Sequence, residues 1–187
     1  SHLREEGLGV IEAVDEAISI SEKADIPVVL THHKVMGPSM WGKSTRTLAM
    51  VDSARNIGLD IMLDQYPYAA SQTGLSVLLP SWSRSGGQNA FLKYIDNPAT
   101  YDSVKQGTVY NIVEDRTGGD LRRIQFAKAP WQPELEGKTL HDWLLMLEKD
   151  TTPENGADLI IEAQASGGGA AVYHVMDQGD VDRTMQH

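Results

Sequence analysis

Ile26-Pro27-Val28-Val29-Leu30-Thr31-His32-His33-Lys34 is the stretch whose reading decides the fold. An apolar run of strand length ends on an imidazole, and His2 lies thirty residues upstream. Between the two histidines, Val10, Ile11, Val14, Ala17 and Ile18 recur at helical spacing, with Glu12, Asp15 and Glu16 on the other side. The period predicts a helix over about 9–24. Strand end, helix and strand make one β–α–β unit of the usual length, so His2 and His32 are expected at the ends of neighbouring parallel strands. Strand ends on one face are where α/β barrels carry their chemistry.

Reading onward, Gly37, Pro38 and Gly42 mark a loop after Lys34. Ser44 or Thr45 caps a second helix to about Asn56, with Leu48, Val51 and Ala54 on one face and Gly58 at its stop. Leu59 to Leu63 reads as a further strand ending at Asp64. This alternation predicts a parallel α/β sheet, either open or closed into a barrel. After Asp64 the rhythm changes. Short helices are expected near Leu75–Leu79, Phe91–Ile95 and Thr100–Gly107, a strand over Leu121–Ala127, and an amphipathic helix over Thr139–Lys149. Asp158–Ala165 reads as helix or strand, and Asp177 caps a last helix to Gln186. The stretch from about 66 to 138 is expected to be an irregular insertion or lid.

Composition removes several function classes. The 187 residues carry 26 acids against 16 bases, a formal charge of −10. Nothing resembles the basic stripe of a nucleic-acid binder or of a protein drawn to anionic membranes. With no cysteine, thiolate ligation and disulfides are unavailable within these residues. No apolar run approaches the ~20 residues that span a bilayer. A cytoplasmic location is the default expectation, and oligomeric state is not legible.

The candidate chemistry lies in a few side chains. Neutral imidazole is a common zinc ligand, so His2 and His32 are candidate metal ligands; the alternative is a pair of hydrogen-bonded strand-end histidines. In extended chain His33 points opposite to His32, and Lys34 returns to its side. Lys34 is a point charge suited to a substrate carboxylate, or a solvated lysine. Tyr66 and Tyr68 offer hydroxyl donors, or pack. Asp64 is a metal ligand, a base or a loop cap. Tyr173, His174 and Met176, after Ser166-Gly167-Gly168-Gly169, line an apolar pocket or belong to core.

Five segments occur in a fixed order: Ser1-His2-Leu3-Arg4-Glu5-Glu6-Gly7, Thr31-His32-His33-Lys34, Trp41-Gly42-Lys43, Asp64-Gln65-Tyr66-Pro67-Tyr68 and Val172-Tyr173-His174-Val175-Met176-Asp177. In this the chain resembles the N-acyl-D-amino-acid deacylase (D-aminoacylase) family of the amidohydrolase superfamily. The resemblance implies a zinc-dependent (β/α)₈ barrel that hydrolyses the amide of a small N-acyl-D-amino acid. It implies His2 and His32 as metal ligands ending the fifth and sixth strands. Lys34 and Tyr66 would meet the substrate's carboxylate side, Tyr173 and Met176 would line the side-chain pocket, and Arg84 would assist. The family's His-x-His strand and upstream cysteine ligand have no counterpart here, and its general-base aspartate would follow His187. The chain is therefore expected to be a fragment covering about strands five to seven plus the insertion, and to be inactive alone. Zinc-dependent turnover by the purified 187-residue chain would overturn that last expectation. Two other readings stand beside it: an amidohydrolase acting on cyclic amides, and a non-catalytic remnant.

Overall fold

The structure is a computed structural model that describes residues 1–187. It holds five strands, β1–β5, and eight α-helices, α1–α8, numbered along the chain. They divide into two compact units, Ser1–Ala69 with Val175–His187, and Ala70–His174. No helix is long and apolar enough to cross a membrane.

The first unit contains α1 (Val10–Ala24), β1 (Val28–Leu30), α2 (Ser44–Asn56), β2 (Ile61–Leu63) and α8 (Gln178–Met185). The helical period of the sequence becomes packing here. Val10, Ala13, Val14 and Ala17 of α1 are buried against Val28 and Leu30 of β1, Val51 and Ala54 of α2, and Ile61 of β2. β1 and β2 pair in parallel, Val28 opposite Ile61 and Leu30 opposite Leu63. On the other side of β1, His2 bridges Thr31 in parallel. The Thr31 N–H donates to the Ser1 carbonyl at 3.0 Å. The sequence thus places His2 and His32 on adjacent parallel segments, as their spacing predicts.

The second unit is built differently. A three-stranded sheet has the order β3 (Ser71–Gly74), β5 (Ala170–Tyr173), β4 (Ile124–Lys128). Both pairings are antiparallel, with Tyr173 opposite Ser71 on one side and Ile124 on the other. Around it lie α3 (Ser81–Arg84), α4 (Gly87–Asp96), α5 (Pro98–Tyr110), α6 (Leu140–Met146) and α7 (Pro153–Ala165). The core of this unit includes Phe126 edge-on to Trp143 at 5.5 Å between ring centroids, with Trp131 5.2 Å from Trp143. Ile160 and Leu159 of α7 are fully buried.

Two expectations change. Where three parallel barrel strands were expected, the parallel sheet is the two-stranded pair β1–β2, with His2 adding one isolated parallel bridge to Thr31; the later strands pair antiparallel in a sheet of their own. The stretch 66–138 carries the expected short helices as a 3-10 turn at Leu75–Leu78, α4 and α5, and the expected strand as β4; it is more ordered than an irregular segment, adding β3, α3 and a π-helix at Asn111–Thr117. Local cues explain several of these elements. Asn97 caps α5, its side chain accepting from the Ala99 N–H at 3.0 Å, with Pro98 in the first turn. Thr152 and Pro153 open α7 in the same way, which settles 158–165 as helix.

The central strand β5 escaped the sequence reading because Ala170-Ala171 carries little strand preference. Its position depends instead on the close approach of Gly169. A Cβ there would lie 2.3 Å from the Lys128 carbonyl oxygen on β4. Gly169→Ala is expected to push β4 from β5 and cost about 1–3 kcal/mol in urea unfolding. Gly74→Ala, whose Cβ meets nothing nearer than 3.5 Å, is the control. Equal stability of the two variants would contradict this account.

Candidate functional site

The first unit gathers four of the singled-out side chains at the ends of its parallel segments. His32 follows β1 with a positive φ of 45°, a conformation uncommon outside glycine and found among other residues mostly in asparagine, aspartate and histidine. Asp64, just after β2, holds it there. The His32 N–H donates to Asp64 Oδ1 at 2.5 Å, and the His33 N–H donates to the Asp64 carbonyl at 2.8 Å. Of the three roles open to Asp64, this is the loop cap. The turn aims His32 Nε2 at His2 Nδ1, and the two ring nitrogens are in direct contact. The ring centroids are 4.5 Å apart.

Behind the imidazoles lies an ion cluster. Glu6 Oε1 is 2.9 Å from His32 Nδ1 and is in contact with Lys34 Nζ. Lys34 Nζ is also 2.8 Å from His32 Nδ1. Lys34 is buried, with its side chain 5 % exposed, and Glu6 is mostly covered. The ammonium sits 5.7 Å from the centroid of the Tyr66 ring, which stacks on Tyr68 at 6.3 Å. Tyr68 is largely exposed. Lys34 is thus not the solvated lysine its sequence position allowed. Glu6 was not singled out from sequence: a carboxylate in an Arg-Glu-Glu run carries no spacing signal that distinguishes it from a surface acid.

His33 points away from this cluster, as strand alternation predicts. It is fully buried, with Nε2 2.9 Å from Thr47 Oγ1 and Nδ1 without a hydrogen-bond partner. Burial, and after it the neighbouring charge of Lys34, push its pKa down to about 4. The sign follows directly. An unfolded histidine takes its proton near pH 6.5, while the folded protein resists it until about pH 4. His33 therefore contributes stability that is fully present above pH 6.5 and is lost as pH falls toward 4, up to about 3 kcal/mol. Urea unfolding at pH 7 and pH 5 checks this. The His33→Phe variant should lose part of that pH dependence, and an unchanged slope would refute it.

Met176 is buried in the first unit, its N–H donating to the Ala69 carbonyl at 3.3 Å. Tyr173 and Arg84 belong to the second unit. Tyr173 is 1 % exposed on β5 and its hydroxyl donates to the Gly74 carbonyl at 3.2 Å. Arg84 is exposed at the end of α3. His174 bonds through Nε2 with Gln125 at 3.0 Å.

The donor set fits half of a zinc site. Two imidazole nitrogens converge on one point, and one ring carries a carboxylate at its far nitrogen, the usual second partner of a metal-bound histidine. No group of three or more histidine, aspartate or glutamate side chains forms a metal cluster. Two donors fall short of the three protein ligands typical of a catalytic zinc centre.

The fold and this geometry can be set beside known proteins. No family model matches the chain. The crystal structure of an N-acyl-D-glutamate deacylase from Bordetella bronchiseptica, complexed with zinc and a phosphonate inhibitor that mimics the tetrahedral intermediate, superposes on the whole chain with a TM-score of 0.67 and 27% identity. The chain is similar to the N-acyl-D-amino-acid deacylases. An N-acyl-D-glutamate deacylase of Alcaligenes xylosoxydans xylosoxydans is 29% identical over all 187 residues. A D-aminoacylase from the same organism is 41% identical over 75 residues, 40% of this chain and 15% of its own. The chain spans 29% of the length of the N-acyl-D-glutamate deacylase and 30% of the crystallised protein. Its mixed α/β fold therefore matches a part of these deacylase structures.

Proposed function

We propose that the polypeptide carrying this chain hydrolyses the amide bond of N-acyl-D-amino acids, releasing a D-amino acid and a carboxylate. The observation that carries this reading is the convergence of His2 Nδ1 and His32 Nε2 at parallel strand ends, in a chain similar to deacylases along its whole length. In this reading the first unit contributes part of a (β/α)₈ barrel, with α1 and α2 as its crossover helices, and 66–138 is an insertion into it. His2 and His32 hold a zinc ion together with ligands from outside these residues. A bound zinc ion supplies Lewis acidity, which polarises a scissile carbonyl and acidifies water.

The remaining roles belong to the chain's own residues. Lys34, beside the imidazoles, receives the substrate carboxylate as a point charge, with the Tyr66 ring beside its ammonium. Met176 offers an apolar wall for the substrate side chain. Arg84 and Tyr173 are assigned to the substrate by the resemblance. A carboxylate held on one side and an apolar wall on another fix the chiral centre and favour the D form. We assign no residue of this chain as the general base.

The test is turnover by the full-length polypeptide on N-acetyl-D-glutamate, N-acetyl-D-aspartate and N-acetyl-D-methionine, each against its L form. Release of D-amino acid, lost on zinc chelation and restored by zinc, is the expected result. Turnover of hydantoin-type rings with none of N-acyl-D-amino acids would replace this reading by a cyclic-amide hydrolase. No turnover of either class would leave a non-catalytic remnant.

A further inference from the structure

The His32 ring has an unusual pair of neighbours. Its Nδ1 has one in-plane hydrogen-bonding direction, and two groups compete for it: Glu6 Oε1 at 2.9 Å and Lys34 Nζ at 2.8 Å. The two choices have opposite consequences. If Nδ1 accepts from Lys34, the ring proton sits on Nε2 and the lone pair facing His2 is gone. If Nδ1–H donates to Glu6, Nε2 keeps its lone pair.

We propose that Glu6 is a positioning residue for His32, its carboxylate taking the Nδ1–H bond and so leaving the Nε2 lone pair aimed at His2. This rests on the reading of His2 and His32 as metal ligands. Three observations support it. The bond from a ring N–H to a carboxylate is charge-assisted. Lys34 is already in contact with Glu6 and has three N–H donors, so yielding Nδ1 leaves its ion pair intact. The main chain pins Glu6 in place: the Met36 N–H, two residues after Lys34, donates to the Glu6 carbonyl at 2.8 Å. Glu6 thus does two things at once. It sets the tautomer of His32, and it neutralises the one buried ammonium that otherwise opposes a cation there.

Ring tautomers are read directly from the ¹⁵N shifts of the protein labelled with ¹⁵N-histidine, at about pH 8 without metal. Zinc affinity is read separately, by competition with a chromophoric chelator. The wild type is expected to hold His32 mainly as the Nδ1–H tautomer. In Glu6→Ala, Lys34 becomes the only partner of Nδ1 and the population should move to Nε2–H. Zinc binding should weaken by about 10–100-fold, the usual effect of losing an outer-shell partner. Lys34→Met should keep the Nδ1–H tautomer and bind zinc no more weakly than wild type, an asymmetry that a merely structural ion pair would not produce. Should Glu6→Ala not fold, Glu6→Gln is read in the same way, with a smaller tautomer shift expected from its weaker acceptor. An unchanged tautomer population in the Glu6 variants, or an equal shift in Lys34→Met, would overturn the proposal. If the wild type binds no zinc, the deacylase reading falls, while the tautomer populations still decide the role of Glu6.

Discussion

His32→Asn is expected to lower the zinc affinity of the protein by upwards of about 100-fold, more than the loss of an outer-shell partner. It should remove zinc-dependent turnover by the full-length polypeptide. Asparagine is the informative substitution. The backbone at this position has φ 45°, and asparagine is among the few residues that adopt such a conformation at little cost. The N–H that donates to Asp64 at 2.5 Å survives the change. The unfolding midpoint should therefore move little while the proposed metal site loses one of its two imidazoles. His2→Asn, on the neighbouring segment, should act on zinc in the same direction. Unchanged zinc affinity in both variants would mean that the two rings are hydrogen-bonded strand-end histidines and nothing more. A large loss of stability in His32→Asn with zinc affinity kept would place the role of His32 in the fold.

Asp180→Ala is expected to destabilise the first unit by about 3–5 kcal/mol, the scale on which breaking a buried charged network acts. Against a domain stability of about 5–15 kcal/mol this is a large fraction. The physical reason begins at the start of α2. Lys43, the residue before that helix, makes no capping bond with its side chain. The open N–H groups of the first turn still need acceptors. Asp180 on α8 supplies them. Its Oδ2 accepts from the Gly42 N–H at 2.7 Å, and its Oδ1 accepts from the Ser44 N–H at 3.2 Å and the Ser44 hydroxyl at 2.5 Å. Arg183 Nη1 donates to Oδ1 at 2.9 Å, so the buried carboxylate is paired. An anion at a helix N-terminus also meets the favourable end of the helix dipole. Alanine removes the acceptor for the buried Ser44 N–H and hydroxyl and for the part-buried Gly42 N–H together. Asp180→Asn, which keeps one acceptor oxygen, should cost less. Urea unfolding measures both, and a loss below about 1 kcal/mol for Asp180→Ala would show that α2 does not depend on this cap. The loop that begins at Lys34 is held separately, because the Trp41 Nε1–H and the Gly37 N–H both donate to the Val175 carbonyl at 2.9 Å.

Elements with a strong local signal were legible. The apolar period of α1, the serine and glycine limits of α2, and the valine-rich run of β1 each appear within a residue or two of their expected bounds. Asn97-Pro98 separates α4 from α5, as its turn chemistry requires. Where local preference was weak, reading failed. β5 is alanine-rich and holds the centre of a sheet only because Ser71–Gly74 and Ile124–Lys128, which are 50 residues or more apart along the chain, come to flank it. Within 66–138 the short helices and the strand β4 were legible, while β3 and α3 were not, among glycines, prolines and polar runs. Those mark the ends of short helices as readily as they mark loops.

For the site, sequence alone determined that two imidazoles lie at adjacent strand ends, because spacing along a strand–helix–strand unit is a local geometric property. It also determined that His33 faces away from His32 and that Lys34 comes back, because side chains alternate along extended chain. It excluded thiolate ligation from within these residues. Only the tertiary structure decided that Glu6 lies against the far nitrogen of His32, that Lys34 is buried in an ion pair, and that Asp64 and Asp180 serve as caps for segments distant in sequence. Those are meetings of charged and polar side chains across loops. A carboxylate reads the same in sequence whether it faces water or a histidine, and its partner is chosen by packing, where an unpaired charge cannot be left.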